Sequence, residues 1–444
     1  MKLFARVLSV GMVMTVAVQG HAYTCTPGTG QVALYRDGNF SGPCTILSWG
    51  NYANAAQMGI ANDSVSSVIV GPGTRALLYQ DSNFSAKLNT LEGSWASSTF
   101  YASMGVNAND SASSIRVARI DGGNIATNYL GNLPNNRESY WTDEIQGLAH
   151  DDCHWYMTQN PRGDSPQLMV WPLSTNMSGY PSLRVAMPWQ LNRFGCDHFG
   201  DPDLFQHPVW GGLLVVPVEG CRDPYGDMGG AKVGVVALFR AADLSFFAMD
   251  TLFAQGQGGA SAEKAAWLAI HPITRTTLFS SSNVVDVNNP VVAYEVDWDD
   301  LQPNDNPAYF LWGGYGTAQL WDAEAQNYPW IYTPQGGVFS SDGRVFYLVN
   351  GYGCDTGDYI RAFDADGFSP YQGNTFSMRT ASASEYGKFN FESHCSTGEE
   401  PQGMDYLDMT GRGMPFSGQL HVMLLDNDEI DQDNLYLKHY SITP

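Results

Sequence analysis

The chain carries little positive charge. Lys and Arg total 22 against 45 Asp and Glu, a formal charge of -23. No Lys/Arg cluster offsets the excess, so nucleic acid and anionic membrane surfaces would be repelled. After Val18 no apolar run is long enough to span a bilayer, which takes ~20 apolar residues, so membrane insertion is not expected. The seven cysteines include no CxxC pair, which removes the common zinc frameworks. HExxH, G-x-S-x-G, a P-loop and a G-x-G-x-x-G between strand and helix are also missing, so no common hydrolase or nucleotide-binding motif is available. Helix formers are sparse.

What remains points to β structure. Aromatics are common, Gly and Asn are plentiful, and Asp outnumbers Glu. Such a chain is all-β and loop-rich, with oxygen ligands for hard cations. Its start, with Lys2, Arg6, an apolar stretch from Val7 to Val18 and small residues at Gly20 and Ala22, has the form of a signal peptide over residues 1–22. Cleavage after Ala22 would give a secreted protein, extracellular or periplasmic. At 444 residues the chain exceeds a single core, which rarely grows past ~250–300 residues, so two or more domains are expected. Export makes disulfides plausible. Cys25 with Cys44 would staple the start of the first domain, Cys196 and Cys221 bracket a strand pair, and Cys354 and Cys395 flank a later loop. Cys153 is left over and is expected to be buried.

Residues 32–70 and 76–117 repeat each other. Val-Ala-Leu-Tyr-Arg-Asp-Gly-Asn-Phe-Ser-Gly (Val32 to Gly42) matches Ala-Leu-Leu-Tyr-Gln-Asp-Ser-Asn-Phe-Ser (Ala76 to Ser85). Each copy closes on a hexapeptide, Asn62-Asp63-Ser64-Val65-Ser66-Ser67 or Asn109-Asp110-Ser111-Ala112-Ser113-Ser114, that runs into an alternating strand. A loop of this kind offers a dense set of side-chain and carbonyl oxygens, which suits a hard cation wanting six to eight of them at about 2.3–2.6 Å. The plain alternative is that these runs are ordinary turns.

The paired signature, Tyr-x-x-x-x-Phe-x-Gly and Asn/Asp-Asn/Asp-x-x-Ser/Thr-Ser, resembles the microbial βγ-crystallins over about residues 30–120. That resemblance implies two Greek keys packed as a small sandwich, spanning residues 23–120, with Tyr35–Phe40 and Tyr79–Phe84 pinning folded hairpins. It also implies Ca²⁺ held by ligands from both loops. Asp63 and Ser66 would serve with Asp110 and Ser113, Asn62 and Asn109 lie in the same loops, and Asp37 and Asp81 stand where an acidic side chain often completes the shell. The second copy departs at Ala86, where the pattern has glycine, so some strain is expected where φ must be positive. Few charged ligands per site imply an affinity of ~10⁻⁴ M or somewhat tighter.

A polar stretch at 121–136, with Gly, Asn and Pro, reads as the linker. Beyond it, residues 137–444 show five lead-ins roughly 55 to 70 residues apart: Glu144-Ile145-Gln146-Gly147, His198-Phe199-Gly200-Asp201, Ala266-Trp267-Leu268, Pro334-Gln335-Gly336-Gly337 and Pro401-Gln402-Gly403-Met404. Each precedes β-rich runs. The order resembles a β-propeller of no identified family, with five blades, or six if residues 125–141 or 286–333 hold another. Ser261 to Ala266 has helical composition but is short, and reads as a loop insert or a strand lead-in. Lead-ins of this kind would bring Glu144, Gln146, His198, Asp201, Asp203, His271, Gln335, Gln402 and Asp405 near one axis. Among these, Glu144, His198, Asp201 and Asp203 are the catalytic candidates, and His150-Asp151-Asp152-Cys153-His154 forms a second polar cluster. The competing reading is that such Asp and His tie backbone amides. Trp141, Trp155, Trp210, Trp312, Trp321 and Trp330 suit either a core or a sugar-binding surface. The functional expectation is a secreted calcium-binding protein whose propeller recognises an extracellular glycan or protein. The alternatives are a secreted carbohydrate-active hydrolase with structural calcium, and a coat or matrix protein.

Overall fold

The structure is a computed structural model that describes residues 25–28, 30–48, 50–71, 74–93, 100–101, 110–119, 126–226, 231–252, 265–322, 325–351, 359–365, 374–379, 400–426 and 433–443. The expected signal peptide, Asn109, and the Cys354 and Cys395 pair lie outside the described residues. Among those described, no helix is long and apolar enough to cross a membrane. The chain divides into two compact units, Met1–Ala118 and Arg119–Pro444.

The first unit holds two four-stranded antiparallel sheets. One contains Ser41–Ser48, Gln31–Asp37, Ser67–Val70 and Phe100–Tyr101; the other contains Gly50–Tyr52, Ser114–Arg119, Thr74–Tyr79 and Lys87–Gly93. Each sheet therefore takes three strands from one repeat and one from the other, as in paired Greek keys. Apolar side chains from both, among them Leu34, Val68, Leu78 and Ile115, form one buried core. Tyr35 meets Phe40 edge-on at 5.9 Å, and Tyr79 meets Phe84 at 5.7 Å, so both hairpins are pinned by the expected rings. Cys25 and Cys44 are joined by a disulfide.

The second unit is built of four-stranded antiparallel meanders. The first runs Ile145–His150, His154–Gln159, Gln167–Pro172, Leu183–Ala186. The second runs Asp203–His207 (continuing His198–Phe199), Gly211–Arg222, Lys232–Arg240, Phe246–Thr251. The third runs Leu268–Ile270, Thr277–Ser280, Val291–Val296, Leu311–Asp322, and the fourth Pro334–Phe339, Val345–Asn350, Tyr359–Asp364, Asn374–Arg379. These two are joined where Leu311–Asp322 pairs in parallel with Asn374–Arg379. The fifth holds Glu400–Tyr406, Leu420–Asp426 and Asn434–Thr443, and its outer place is filled by Ala126–Asn132 from the start of the unit.

The first strand of each meander packs against the first strand of the next, and the fifth against the first. A separate apolar core fills each gap between neighbouring sheets. This explains the continuous apolar runs. In Lys232–Arg240, Val235, Ala237 and Phe239 face the gap to the first sheet, while Val236 and Leu238 face the gap to the third. A strand buried on both faces has no polar side to show.

Several expectations need correction here. Residues 126–132 are a strand of the fifth sheet rather than linker, because pairing with Asn434–Thr443 satisfies their backbone. Cys153 is exposed, not buried, since it sits on the turn after Ile145–His150. Of the loop insert or strand lead-in at Ser261 to Ala266, residues 261–264 lie outside the described set, while Ala265 and Ala266 run without helix toward Leu268–Ile270. Cys196 and Cys221 form a disulfide. The tryptophans divide: Trp141 and Trp155 are fully buried, while Trp312 and Trp330 are 64% and 71% exposed.

Candidate functional site

The first unit brings its two hexapeptide loops together. Asp63 and Asp110 each adopt positive φ, 51° and 52°, which turns both loops the same way. Ser66 Oγ donates to Asp110 Oδ1 at 2.7 Å, and Ser113 Oγ donates to Asp63 Oδ1 at 3.0 Å. The loops are thus crossed: each carboxylate sits on the other repeat's serine. The amide N–H of Asp110 donates to the Val65 carbonyl at 3.0 Å, and Asn62 Nδ2 donates to Asp63 Oδ2 at 2.7 Å. A cleft of about 400 Å³ opens there, lined by Asn62, Asp63, Asp81, Asp110 and Ser113 among others. Its donors are carboxylate, amide and hydroxyl groups, with no sulfur or imidazole, so the chemistry fits a hard cation. Among the described residues no cluster of three or more His, Cys, Asp or Glu is formed, so carbonyl and hydroxyl oxygens would have to fill out any shell.

The two hairpin aspartates are not equivalent. Asp81 lines this cleft. Asp37 instead folds over Gly42, where an added Cβ would stand 2.1 Å from its Oδ2. In the second copy that place belongs to Ala86, which takes φ 52°. The methyl group bars Asp81 from the position Asp37 adopts. Sequence reading also missed the last serine of each hexapeptide. Ser67 Oγ accepts from Phe40 N at 3.1 Å and donates to the Asp37 carbonyl at 2.7 Å. Ser114 does the same with Phe84 N and the Asp81 carbonyl. The repeated Ser-Ser was visible; its task of tying loop to hairpin was not.

In the second unit, the innermost strands pack side by side, and the candidate residues lie at different depths along them. Asp201 is fully buried. Its Oδ1 accepts from Leu148 N at 2.9 Å and its Oδ2 from Met404 N at 3.2 Å, while its own N–H donates to the Ala266 carbonyl at 2.7 Å. One residue therefore fastens the innermost strands of its neighbours, through its side chain to Leu148 and Met404 and through its backbone to Ala266. Burial pushes its carboxyl well above the usual range. Asp201, a catalytic candidate by sequence, ties backbone amides and presents nothing to a substrate. Glu144 precedes the first strand, at the opposite end from His150. Its Oε1 accepts from Arg162 Nε at 3.1 Å, and its backbone N–H donates to Asp433. His198 Nε2 meets Gln146 Oε1 at 3.2 Å. Neither shares a site with Asp203.

Asp203 lines a cleft of about 250 Å³ at the C-terminal side of the innermost strands, and all five contribute, through His150, Asp203, Ile270, Phe339 and Asp405. Asp203 Oδ2 accepts from Ile270 N at 2.7 Å and Oδ1 from Leu204 N at 2.6 Å. Burial, with repulsion from Asp405, pushes its carboxyl up to about 7, although these N–H groups and His150 pull the other way. His150 Nδ1 lies 2.5 Å from Asp405 Oδ2. Burial alone would lower the His150 pKa, but Asp405, Asp203 and Asp151 together outweigh it and the net shift is upward. The cleft thus holds two carboxylates in different settings, one poised near neutrality and one held by an imidazole.

No protein-family model matches the chain. Spherulin-3A of Physarum polycephalum is 37% identical over 95 residues, which are 21% of this chain and 88% of that protein. A βγ-crystallin domain from Flavobacterium johnsoniae is 32% identical, covering 20% of this chain and 93% of that one, with a TM-score of 0.17. The N-terminal domain of protein S is 32% identical, covering 20% of this chain and 97% of that one, with a TM-score of 0.18.

Proposed function

Because the chain belongs, through its first unit, to the βγ-crystallin family, we propose that it is a secreted protein that binds calcium between its two hexapeptide loops. The crossed Asp63–Ser113 and Asp110–Ser66 pairs carry this reading. Asp63 and Asp110 would supply charge, Ser66, Ser113 and Asn62 neutral oxygens, and Asp81 a further carboxylate on one side. Asn109 has its place in the same set by sequence. The bound ion would supply two positive charges to loops whose carboxylates otherwise lean on serine hydroxyls. Two disulfides support an oxidising compartment.

The second unit, on this reading, is a five-bladed β-propeller that recognises an extracellular glycan. Cyclic packing of the innermost strands, a core in every gap and completion of the last sheet by the first strand all support it. Exposed Trp312, Trp330 and Tyr332 offer flat aromatic faces of the kind that sugar rings stack on.

Calorimetry tests the calcium reading. The full mature chain is expected to give a saturable heat with calcium, and Asp63→Ala with Asp110→Ala to abolish it. Unchanged heat in the double variant would refute the assignment. A glycan array, read in calcium and in chelator, tests the second unit; a blank array in both would turn the reading toward a protein ligand.

A further inference from the structure

We propose that the cleft at the ends of the innermost strands hydrolyses a glycosidic bond, with Asp203 as general acid, Asp405 as general base and His150 as the residue that positions Asp405. The inference rests on the glycan reading of the second unit, and it concerns a different place from the exposed tryptophans.

The cleft is concave, is shared by all five innermost strands, and holds about one sugar ring. Phe339 and Tyr406 give it apolar walls, and Gln206, Ser341 and Arg275 give it hydrogen-bonding groups. That mixture suits a ring with apolar faces and hydroxyl edges. Within it stand two carboxylates whose surroundings differ, the arrangement that lets one act as acid and the other as base. Asp203 is fixed by N–H groups from two different strands, so its carboxyl cannot swing away. Asp405 is held at both oxygens, Oδ1 by Tyr406 N at 2.7 Å and Oδ2 by His150. A carboxylate so held is placed to take a proton from water.

The titrating groups agree with these roles. Asp203 faces Asp405, His150 and, from deeper in the ring, Asp201; Arg275 and Tyr406 also line the cleft. Its proton is retained up to about pH 7. His150 faces Asp405, Asp203 and Asp151, and these carboxylates raise its pKa against the effect of burial. In the step itself, water loses a proton to Asp405 while its oxygen forms a bond to the anomeric carbon. The bond from that carbon to the leaving oxygen breaks, and its electron pair stays on the oxygen, which takes the proton of Asp203. Solvent then returns the proton from Asp405 to Asp203. One water is consumed, and no metal or redox partner is needed.

The test uses the full mature chain and a panel of neutral 4-nitrophenyl and 2,4-dinitrophenyl glycosides. Turnover is expected, with an alkaline limb near pH 7 in kcat/KM. Asp203→Asn should slow the 4-nitrophenyl substrates by about 100-fold or more and the better leaving group far less, because only the poorer one needs the acid. Asp405→Asn should slow both alike, and His150→Gln should shift the pH profile. A protein misfolded by Asp203→Asn would lose both substrates equally; in that case the position of the wild-type alkaline limb decides, and a profile flat through pH 7 overturns the assignment. Equal loss in a folded Asp203→Asn protein overturns it too. Glycan binding on the array without turnover of any glycoside would sink the catalytic inference and leave the recognition reading standing. Neither binding nor turnover would sink both.

Discussion

Single residues hold the second unit at its axis. Gly403 has no room for a side chain, since an added Cβ would lie 2.2 Å from Asp201 Oδ1 and 2.6 Å from Gly147 Cα. Gly147 is as crowded, with Pro202 Cδ at 2.3 Å and the Gly200 carbonyl oxygen at 2.7 Å. Asp201→Ala would leave the Leu148 and Met404 N–H groups buried without partners. At ~1–3 kcal/mol for each orphaned group, the loss should be about 2–6 kcal/mol. Gly403→Ala should cost about 3 kcal/mol, because Gly147 Cα and Leu148 N are backbone and Asp201 Oδ1 is held by two N–H groups. Urea unfolding followed by tryptophan fluorescence checks both, and a change under 1 kcal/mol would remove Asp201 from its role as a tie. The sequence displayed these residues as recurring Gln-Gly and Gly-Asp lead-ins. It did not say why they recur, because the reason is an approach between strands far apart in the chain. For the same reason it could not separate Asp201 from Asp203. Two positions along one strand decide between a fastening and a cleft, and only the packed ring sets their depth.

At the scale of an element, the two hairpins of the first unit form an internal comparison. Both are pinned by Tyr and Phe, and both are tied by the last serine of the hexapeptide. They differ where Gly42 faces Ala86. A non-glycine residue at positive φ is strained, so Ala86→Gly should stabilise the first unit by about 0.5–1 kcal/mol. The same change would free Asp81 to fold over the glycine as Asp37 does. Thermal unfolding without calcium should therefore show a gain, and calorimetry should show weaker calcium binding. A stabilised variant with unaltered calcium affinity would exclude Asp81 from the ligand set. The paired motif made the fold of this unit, its pinned hairpins and its crossed loops readable before any coordinates. The unequal aspartates were not readable, since they depend on where one methyl group sits in three dimensions.

Across the whole molecule, buried histidines set an acid limit. His421 and His439 lie in the fifth sheet with their Nδ1 atoms 2.7 Å apart, and their Nε2 atoms face the carbonyls of Leu407 and Leu133. Two neutral rings carry two protons for three contacts, so one contact is left without a proton. Burial lowers His421 to about 4 and His439 to about 3. The unfolded chain takes protons at these histidines below about pH 6.5, and the folded chain does not. Stability from this pair is therefore complete above pH 6.5 and lost as pH falls toward 4. Asp203 and Asp433, with pKa values raised to about 7 and about 6, act in the opposite direction over part of that window. Comparing the chain with its His421→Gln, His439→Gln variant isolates the histidines: the variant should unfold with a flatter dependence between pH 6.5 and 4.5. Parallel curves would show that the pair does not titrate on unfolding.

The fifth sheet also sets the order in which this unit can be completed. Its outer strand, Ala126–Asn132, is made near the start of the unit, and its partner, Asn434–Thr443, is made last. A ribosome or export channel releases the first of these some three hundred residues before the second. Until then the early strand has an open edge and the first sheet lacks its neighbour on one side. Closure of the ring thus waits for Asn434–Thr443, and a nascent chain stalled before residue 434 should leave Ala126–Asn132 and the open side of the first sheet exposed to proteases.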